Sequence, residues 1–130
     1  MSYTRVNYTN IQPVSGAMHT LRDPLDSKEV GVMIARREPE WRNRPHDHAD
    51  SDHEEIYILM EGRATVVVDD ESVAMESGDV IRIPPESTRQ IRNGETESAF
   101  VLVSAPASRC ITTAETADDD GSWIADGFVG

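Results

Sequence analysis

The chain is almost without cysteine and lysine. Cys110 is its only cysteine, so no disulfide can form within the chain, and a metal site would have to use nitrogen and oxygen ligands instead of thiolates. Lys28 is its only lysine. The sequence also lacks a Gly-rich phosphate loop, a Ser-His-Asp arrangement, a Cys-His pair and a basic patch with aromatic residues. It therefore gives no indication of a nucleophilic hydrolase or of nucleotide binding through a phosphate loop.

Long apolar segments are missing as well. The first five residues do not have the basic start and apolar block of a secretory signal, and no apolar run approaches the length of a membrane span. We therefore expect a soluble, cytoplasmic protein. With 130 residues the chain is long enough for one hydrophobic core, which predicts a single compact domain.

Acidic residues dominate the charge. The chain has 24 Asp and Glu residues against 12 Lys and Arg residues, a formal net charge of -12. Such a charge repels phosphate backbones and anionic membranes, so we expect neither nucleic acid nor a membrane as a partner, and small molecules or proteins remain. The carboxylate excess is also typical of proteins from salt-loving organisms, in which high salt screens the self-repulsion.

Short apolar and β-branched runs recur between turn signals, and no long amphipathic helix interrupts them. This pattern predicts an all-β fold, either a barrel or a sandwich. The turn signals are Glu61-Gly62, Asp69-Asp70, Ser77-Gly78-Asp79, Pro84-Pro85 and Asn93-Gly94. The predicted strands lie within residues 29–37, 53–60, 64–68, 72–75, 80–83, 89–92 and 99–104.

The same patterns divide the chain into three regions. We expect an extended N-terminal arm over residues 1–28, the barrel over residues 29–111, and an acidic segment over residues 112–130. Large apolar residues are rare in disordered tails, so we expect the acidic segment to pack on the barrel or on the second subunit of a homodimer. Its large apolar residues are Trp123, Ile124, Phe128 and Val129.

Histidine is concentrated in one place. His46, His48 and His53 lie within eight positions, and Glu55 follows two residues later at the start of an apolar run. Imidazole and carboxylate groups gathered at the mouth of a strand can form a divalent-metal site. The fourth histidine, His19, is far from this cluster in the sequence, and we expect an ordinary hydrogen-bonding role for it.

Two stretches resemble the motifs of the cupin superfamily of small barrels. In the first motif an HxH pair precedes a glutamate, and a glycine comes after six more residues; Glu55 and Gly62 keep this last interval. The resemblance covers residues 30–104 and implies a cupin double-stranded β-helix, or jelly-roll, barrel. The second motif has glycine, proline, glycine, histidine and asparagine at fixed intervals, and these places are occupied by Gly78, Pro84, Glu86, Arg89 and Asn93.

The resemblance also implies a set of metal ligands, and the chain departs from it in two ways. In the family the HxH pair, the glutamate and the second-motif histidine bind the metal, but Arg89 stands at the last position. An arginine stays protonated and cannot serve as a ligand. The interval before Glu55 is also longer than in the family, so the aligned pair is either His46 with His48 or His48 with Asp50.

Strand alternation gives an independent expectation for the first motif. Successive side chains of a strand point to opposite faces. If Glu55 faces into the barrel, then His53, Tyr57 and Leu59 face inward too, and Glu54, Ile56 and Ile58 face outward. His53 is therefore a candidate fourth ligand.

The same rule applied to the second motif turns Arg89 and Ile91 inward and Gln90 and Arg92 outward. An inward Arg89 can form an ion pair with Glu55. Its fixed positive charge would repel a metal ion at its side unless an anionic ligand lies between them.

Two functions stay open from the sequence. In the first, the chain is a metal-dependent enzyme in which His46, His48, His53 and Glu55 bind one Fe, Mn, Ni, Cu or Zn ion and Arg89 orients an anionic substrate. In the second, it is a metal-free binding or sensor protein in which the pair of Arg89 and Glu55 replaces the ion. In both, the expected ligand-binding residues at the barrel mouth are Arg89, Tyr57 and Trp41. A purely structural role would leave the histidine cluster unused.

Overall fold

The computed structural model describes residues 2–107, which form an antiparallel β-structure with little helix. In this part of the chain the helical elements are a four-residue helix, α1 (Arg22–Leu25), and a 3-10 turn at Tyr8–Asn10. The all-β fold class expected from the sequence is confirmed. The strands are β1 (Met18–Thr20), β2 (Gly31–Arg37), β3 (His53–Val68), β4 (Glu71–Glu76), β5 (Val80–Ile83), β6 (Arg89–Arg92) and β7 (Ser98–Pro106).

Strand β3 is long enough to belong to two layers of sheet. Its first part, residues 53–62, pairs with β7 on one side and with β5 on the other, so this layer has the order β1-β2-β7-β3-β5. Its second part, residues 63–68, lies between β4 and β6. All of these pairs are antiparallel, and β3 therefore ties the two layers together.

One hydrophobic core fills the space between the two layers. Tyr57, Leu59 and Phe100 of the first layer and Val66 and Ile91 of the second belong to one cluster, and each is at most 2% exposed. Because both layers contribute to the same core, they face each other as the walls of a barrel. The inward directions expected for Tyr57, Leu59 and Ile91 are confirmed.

The turn expected at Glu61-Gly62 is wrong, because β3 runs through it. The register against β7 shifts between Leu59 and Glu61, as it does at a β-bulge. Gly62 has a φ of +85°, and an added Cβ would lie 2.0 Å from the carbonyl oxygen of Glu97. Glycine is needed here for a close approach of two strands and not for a chain reversal. The two strands expected over 53–60 and 64–68 are consequently one.

Part of the N-terminal arm joins the barrel, because β1 pairs with β2 at the edge of the first layer. Neither helical element of residues 2–107 is long and apolar enough to cross a membrane. The expected packing of the acidic C-terminal segment, with Trp123, Ile124, Phe128 and Val129, lies outside the described residues.

Candidate functional site

The loop between β2 and β3 lies along β6. His46 exchanges two backbone hydrogen bonds with Arg89, 3.0 and 2.8 Å long. The N–H of His48 donates to the carbonyl oxygen of Pro85 at 2.9 Å. These contacts hold both histidines beside the first residue of β6, close to the start of β3.

Three side chains of the histidine cluster come together. His46, His48 and Glu55 each offer one ligand atom, and these atoms all lie within 4.8 Å of one another. Nδ1 of His46 lies 3.0 Å from the carbonyl oxygen of Arg44, which favours a proton on Nδ1 and leaves Nε2 for a metal. Of the two pairs that the sequence left open, this group contains His46 with His48, and Asp50 is not part of it.

Two of the expected site residues are not brought into this group. His53 is the first residue of β3 and does not belong to the three-residue group. Trp41 packs against the core, and the guanidinium carbon of Arg37 lies 4.8 Å from the centroid of its ring. The carbonyl of Trp41 accepts a hydrogen bond from Asn93, so Trp41 lies at the opposite end of β6 from Arg89.

Arg89 is fully buried, with 0% of its surface exposed. Its Nη1 donates to Oε1 of Glu55 at 2.6 Å, and its Nη2 donates to the carbonyl oxygen of Pro84 at 2.6 Å. Nη2 and Nε also donate to the carbonyl oxygen of Ser87, at 2.9 and 3.1 Å. One carboxylate and several carbonyl oxygens therefore hold the guanidinium in a single orientation and offset the cost of burying its charge.

Three side chains of the site contact the carboxylate of Glu55. In addition to Arg89, its Oε1 accepts a hydrogen bond from the Tyr57 hydroxyl at 3.2 Å and lies 3.1 Å from Nε2 of His48. Burial raises the pKa of Tyr57, so its hydroxyl stays protonated and donates. Burial lowers the pKa of His48 below its ordinary 6.5, with Glu55 opposing the shift. His48 is therefore neutral at pH 7, which is the form of imidazole that binds metals.

A cleft of about 180 Å³ opens beside Glu55. The β-sheet register places Glu55 next to Ser104 of β7, and Ser104 next to Gly31 of β2. Apart from Glu55, sequence reasoning singled out none of the cleft residues as functional, because only the pairing of β2, β7 and β3 brings them together. The lining residues are Thr20, Arg22, Gly31, Val32, Met33, Glu55, Leu102 and Ser104.

Comparisons with known proteins agree with this fold. Residues 33–105 match the family model of the cupin domain. An uncharacterised protein of Methanocaldococcus jannaschii is 42% identical over 48 residues, which make up 37% of this chain and 37% of that protein. The match therefore spans little more than a third of the length of this curated relative.

Solved structures extend the likeness over most of the chain. A cupin protein from Bacteroides fragilis is 24% identical, with a TM-score of 0.69 over 83% of this chain and 92% of that one. A sugar phosphate isomerase of the cupin superfamily from Silicibacter pomeroyi is 19% identical, with a TM-score of 0.63 over 78% of this chain and 74% of that one. At these identities the likeness shows the fold alone.

Proposed function

The chain belongs to the cupin family, and on this premise we propose that it binds a small anionic molecule at the barrel mouth beside a divalent transition metal. The observation that carries the proposal is the convergence of two imidazoles and one carboxylate, from His46, His48 and Glu55, within 4.8 Å. Two histidines and one carboxylate form a donor set suited to Fe, Mn, Ni, Cu or Zn and leave coordination positions open for a ligand. His53, two residues before Glu55 on the same strand, is a candidate fourth ligand.

The three residues fit such an ion by donor type, but Arg89 sets a condition on charge. A guanidinium 4 Å from an ion repels it by about 4 kcal/mol per unit of ionic charge at an effective dielectric constant of 20. A divalent ion carries two positive charges and Arg89 carries one, and Glu55 neutralises only one of these three. An anionic ligand would balance the remainder, which is why we expect the metal and an anion to bind together.

Within this proposal each group has a separate task. When bound, the ion would act as a Lewis acid on an oxygen atom of the ligand. The charge of Arg89 favours an anion nearby, and its hydrogen bond fixes the orientation of Glu55. The Tyr57 hydroxyl holds the same carboxylate oxygen from another side. We also expect the protein to act as a cytoplasmic homodimer.

The first test is the metal content of protein purified without a histidine tag. We expect about one ion per chain in the wild type and its loss in His48→Ala, because a ligand is removed. His19→Ala is the matched control, since His19 lies on β1 and outside the three-residue group. Unchanged metal content in His48→Ala would contradict the proposal, as would a wild type that binds no Zn, Ni or Fe on titration.

A metal-free binding function is the second candidate, and one observation favours it. Arg89 already supplies Glu55 with a buried cation at 2.6 Å, so the carboxylate needs no metal to offset its charge. This alternative predicts that the wild type, treated with a chelator, binds an anionic ligand as tightly as the metal-loaded protein. The metal-dependent proposal predicts a weaker affinity after chelation.

A further inference from the structure

The side chain of Arg22 occupies the cleft because Gly31 leaves room for it. Arg22 begins helix α1, and an added Cβ at Gly31 would lie 2.8 Å from Nη2 of Arg22 and 2.5 Å from Oγ of Ser104. Nη2 donates to the carbonyl oxygen of Glu29 at 3.4 Å, which is long for an N–H···O hydrogen bond and therefore weak. A guanidinium has five N–H donors, so Arg22 retains donors for a ligand.

Arg22 differs in this respect from Arg89. Arg89 is 0% exposed, and its guanidinium donates to the Glu55 carboxylate and to backbone carbonyls. Arg89 therefore affects a ligand through its charge and through the position of Glu55. Arg22 lines the open cleft and can contact an anionic group directly, in the bidentate geometry that suits a carboxylate or a phosphate.

Hydrogen-bonding groups continue along the cleft from Arg22 to Glu55. Ser104 lies between Gly31 and Glu55 in the sheet, and Thr20 ends β1 on the other side. Within residues 2–107 neither the Ser104 hydroxyl nor the Thr20 hydroxyl has a hydrogen-bond partner. The three side-chain contacts of Glu55 all use Oε1, which leaves Oε2 for the metal ion of the proposed function.

The dimensions of the cleft limit the size of the ligand. Gly31 and Glu55 are two strands apart, which corresponds to about 10 Å. The cleft volume of about 180 Å³ is smaller than the range of about 300 to 1,000 Å³ that is usual for drug-sized ligands. A ligand that fits is short, carries an anionic group at one end and has hydroxyl groups along its length.

We propose that this cleft binds a small polyhydroxylated anion, a monosaccharide-sized molecule with a phosphate or carboxylate group, and that Arg22 binds the anionic group. Ser104 and Thr20, which line the same cleft, bind the hydroxyl groups. The inference rests on the proposed function and names the class of its ligand. Apolar ligands are disfavoured, because they would strip water from Arg22 and Glu55 without replacing its hydrogen bonds.

Calorimetric titration of the metal-loaded protein with glucose 6-phosphate, gluconate and glucose tests the inference. We expect one or both anions to bind at least tenfold more tightly than glucose, and the tighter one identifies the anionic group. Arg22→Gln should remove this preference. Gly31→Ala should weaken it, because its Cβ would displace the side chains of both Ser104 and Arg22. Arg82→Gln is the matched control, since Arg82 pairs with Glu54 on the opposite face of β3.

The outcomes separate this inference from the proposed function. If both anions bind Arg22→Gln as tightly as the wild type, or if the wild type binds neither anion better than glucose, the inference is wrong. His48-dependent metal binding in that case would leave the proposed function intact. Conversely, an Arg22-dependent preference for anions in a wild type that binds no metal would support the inference and contradict the metal site.

Discussion

Glu54 and Glu55 are neighbours on β3, and each pairs with an arginine, but the two pairs lie on opposite faces of the strand. On the outer face, Arg82 Nε lies 2.9 Å from Glu54 Oε1, and the two side chains are 56% and 29% exposed. On the inner face, Arg89 Nη1 lies 2.6 Å from Glu55 Oε1, and the two side chains are 0% and 13% exposed. The same two residue types therefore form a solvated pair and a buried pair one residue apart.

The difference between the two pairs is the surrounding medium. Water screens the outer pair and can replace either partner, so the pair contributes little to stability. The inner pair is surrounded by protein instead of water, so removing one partner would leave the other charge buried without compensation. Only the inner pair can therefore set the charge of a binding site. Alternation along β3 decides which glutamate has this role.

Removing each arginine in turn is the strongest test of this comparison. Arg89→Gln should lower the free energy of unfolding by about 3 to 5 kcal/mol, because Glu55 loses its buried partner. Arg82→Gln should lower it by only about 0.2 to 1 kcal/mol. Urea unfolding at pH 7 measures both values, and equal losses would mean that the two faces do not differ as described.

A second variant identifies the cause of the larger loss. Arg89→Gln is expected to destabilise the protein because the Glu55 carboxylate is left uncompensated. Adding Glu55→Gln should then restore part of the stability. The double variant should lose less free energy of unfolding than the sum of the losses in the two single variants. Additive losses would instead indicate that the packing of Arg89, and not its charge, is what matters.

The outer faces of β3 and of its neighbour β5 also carry exposed apolar side chains. Ile56, Met60 and Val80 are 37%, 56% and 59% exposed, and Val80 pairs with Ile58 of β3. We expect this face to contribute to the homodimer interface. Val80→Glu should then raise the dimer dissociation constant by at least tenfold, as measured by light scattering in high salt.

Ser72→Glu is the control for this experiment, because Ser72 is an exposed residue of β4 in the other layer. It adds the same charge and should leave the dimer intact. A wild type that is monomeric at micromolar concentration would show that the expected homodimer is wrong. Equal dissociation in both variants would instead indicate that net charge, and not this face, controls association.

The sequence predicts well which side chains of a strand point into the core and which point outward. The pleat of a strand fixes a period of two residues, so Tyr57, Leu59 and Ile91 point into the core as expected. The resemblance to the second cupin motif gives the register of Arg89, alternation turns it inward, and its expected pair with Glu55 is found at 2.6 Å.

Contacts between strands distant in the sequence are the part that could not be predicted. Gly62 has the appearance of a turn residue, but its positive φ and the nearby carbonyl of Glu97 on the way to β7 are what require glycine there. The position of His46 depends on its backbone pairing with Arg89, which no nearby residue signals. Arg22 and Ser104 meet in one cleft only because β2 pairs with β7.

The charge of Arg89 should repel a metal ion bound beside it, and replacing Arg89 tests this repulsion. Arg89→His removes a fixed positive charge and restores the second-motif imidazole of the family, so Zn or Ni should bind at least tenfold more tightly, a gain of about 1.4 kcal/mol. Arg89→Gln is the control that removes the charge without adding a ligand. Titration calorimetry on the folded variants measures the metal affinity of each. A wild-type affinity in Arg89→His would rule out that Arg89 repels the metal.

The smallest expected effect is the pH dependence that arises from His48 in the chelator-treated protein. Burial lowers the pKa of the folded His48 below 6.5, so the unfolded chain takes up the proton first. The contribution of His48 to stability is complete above about pH 6.5 and is lost as the pH falls from there through the folded pKa.

In His48→Gln this part of the acid destabilisation should disappear, whereas His19→Gln serves as a control for the loss of an imidazole elsewhere. Urea midpoints measured at several pH values between about 5 and 7 give the slopes. The same slope in His48→Gln and the wild type would mean that the inner face of β3 does not hold His48 in its neutral form.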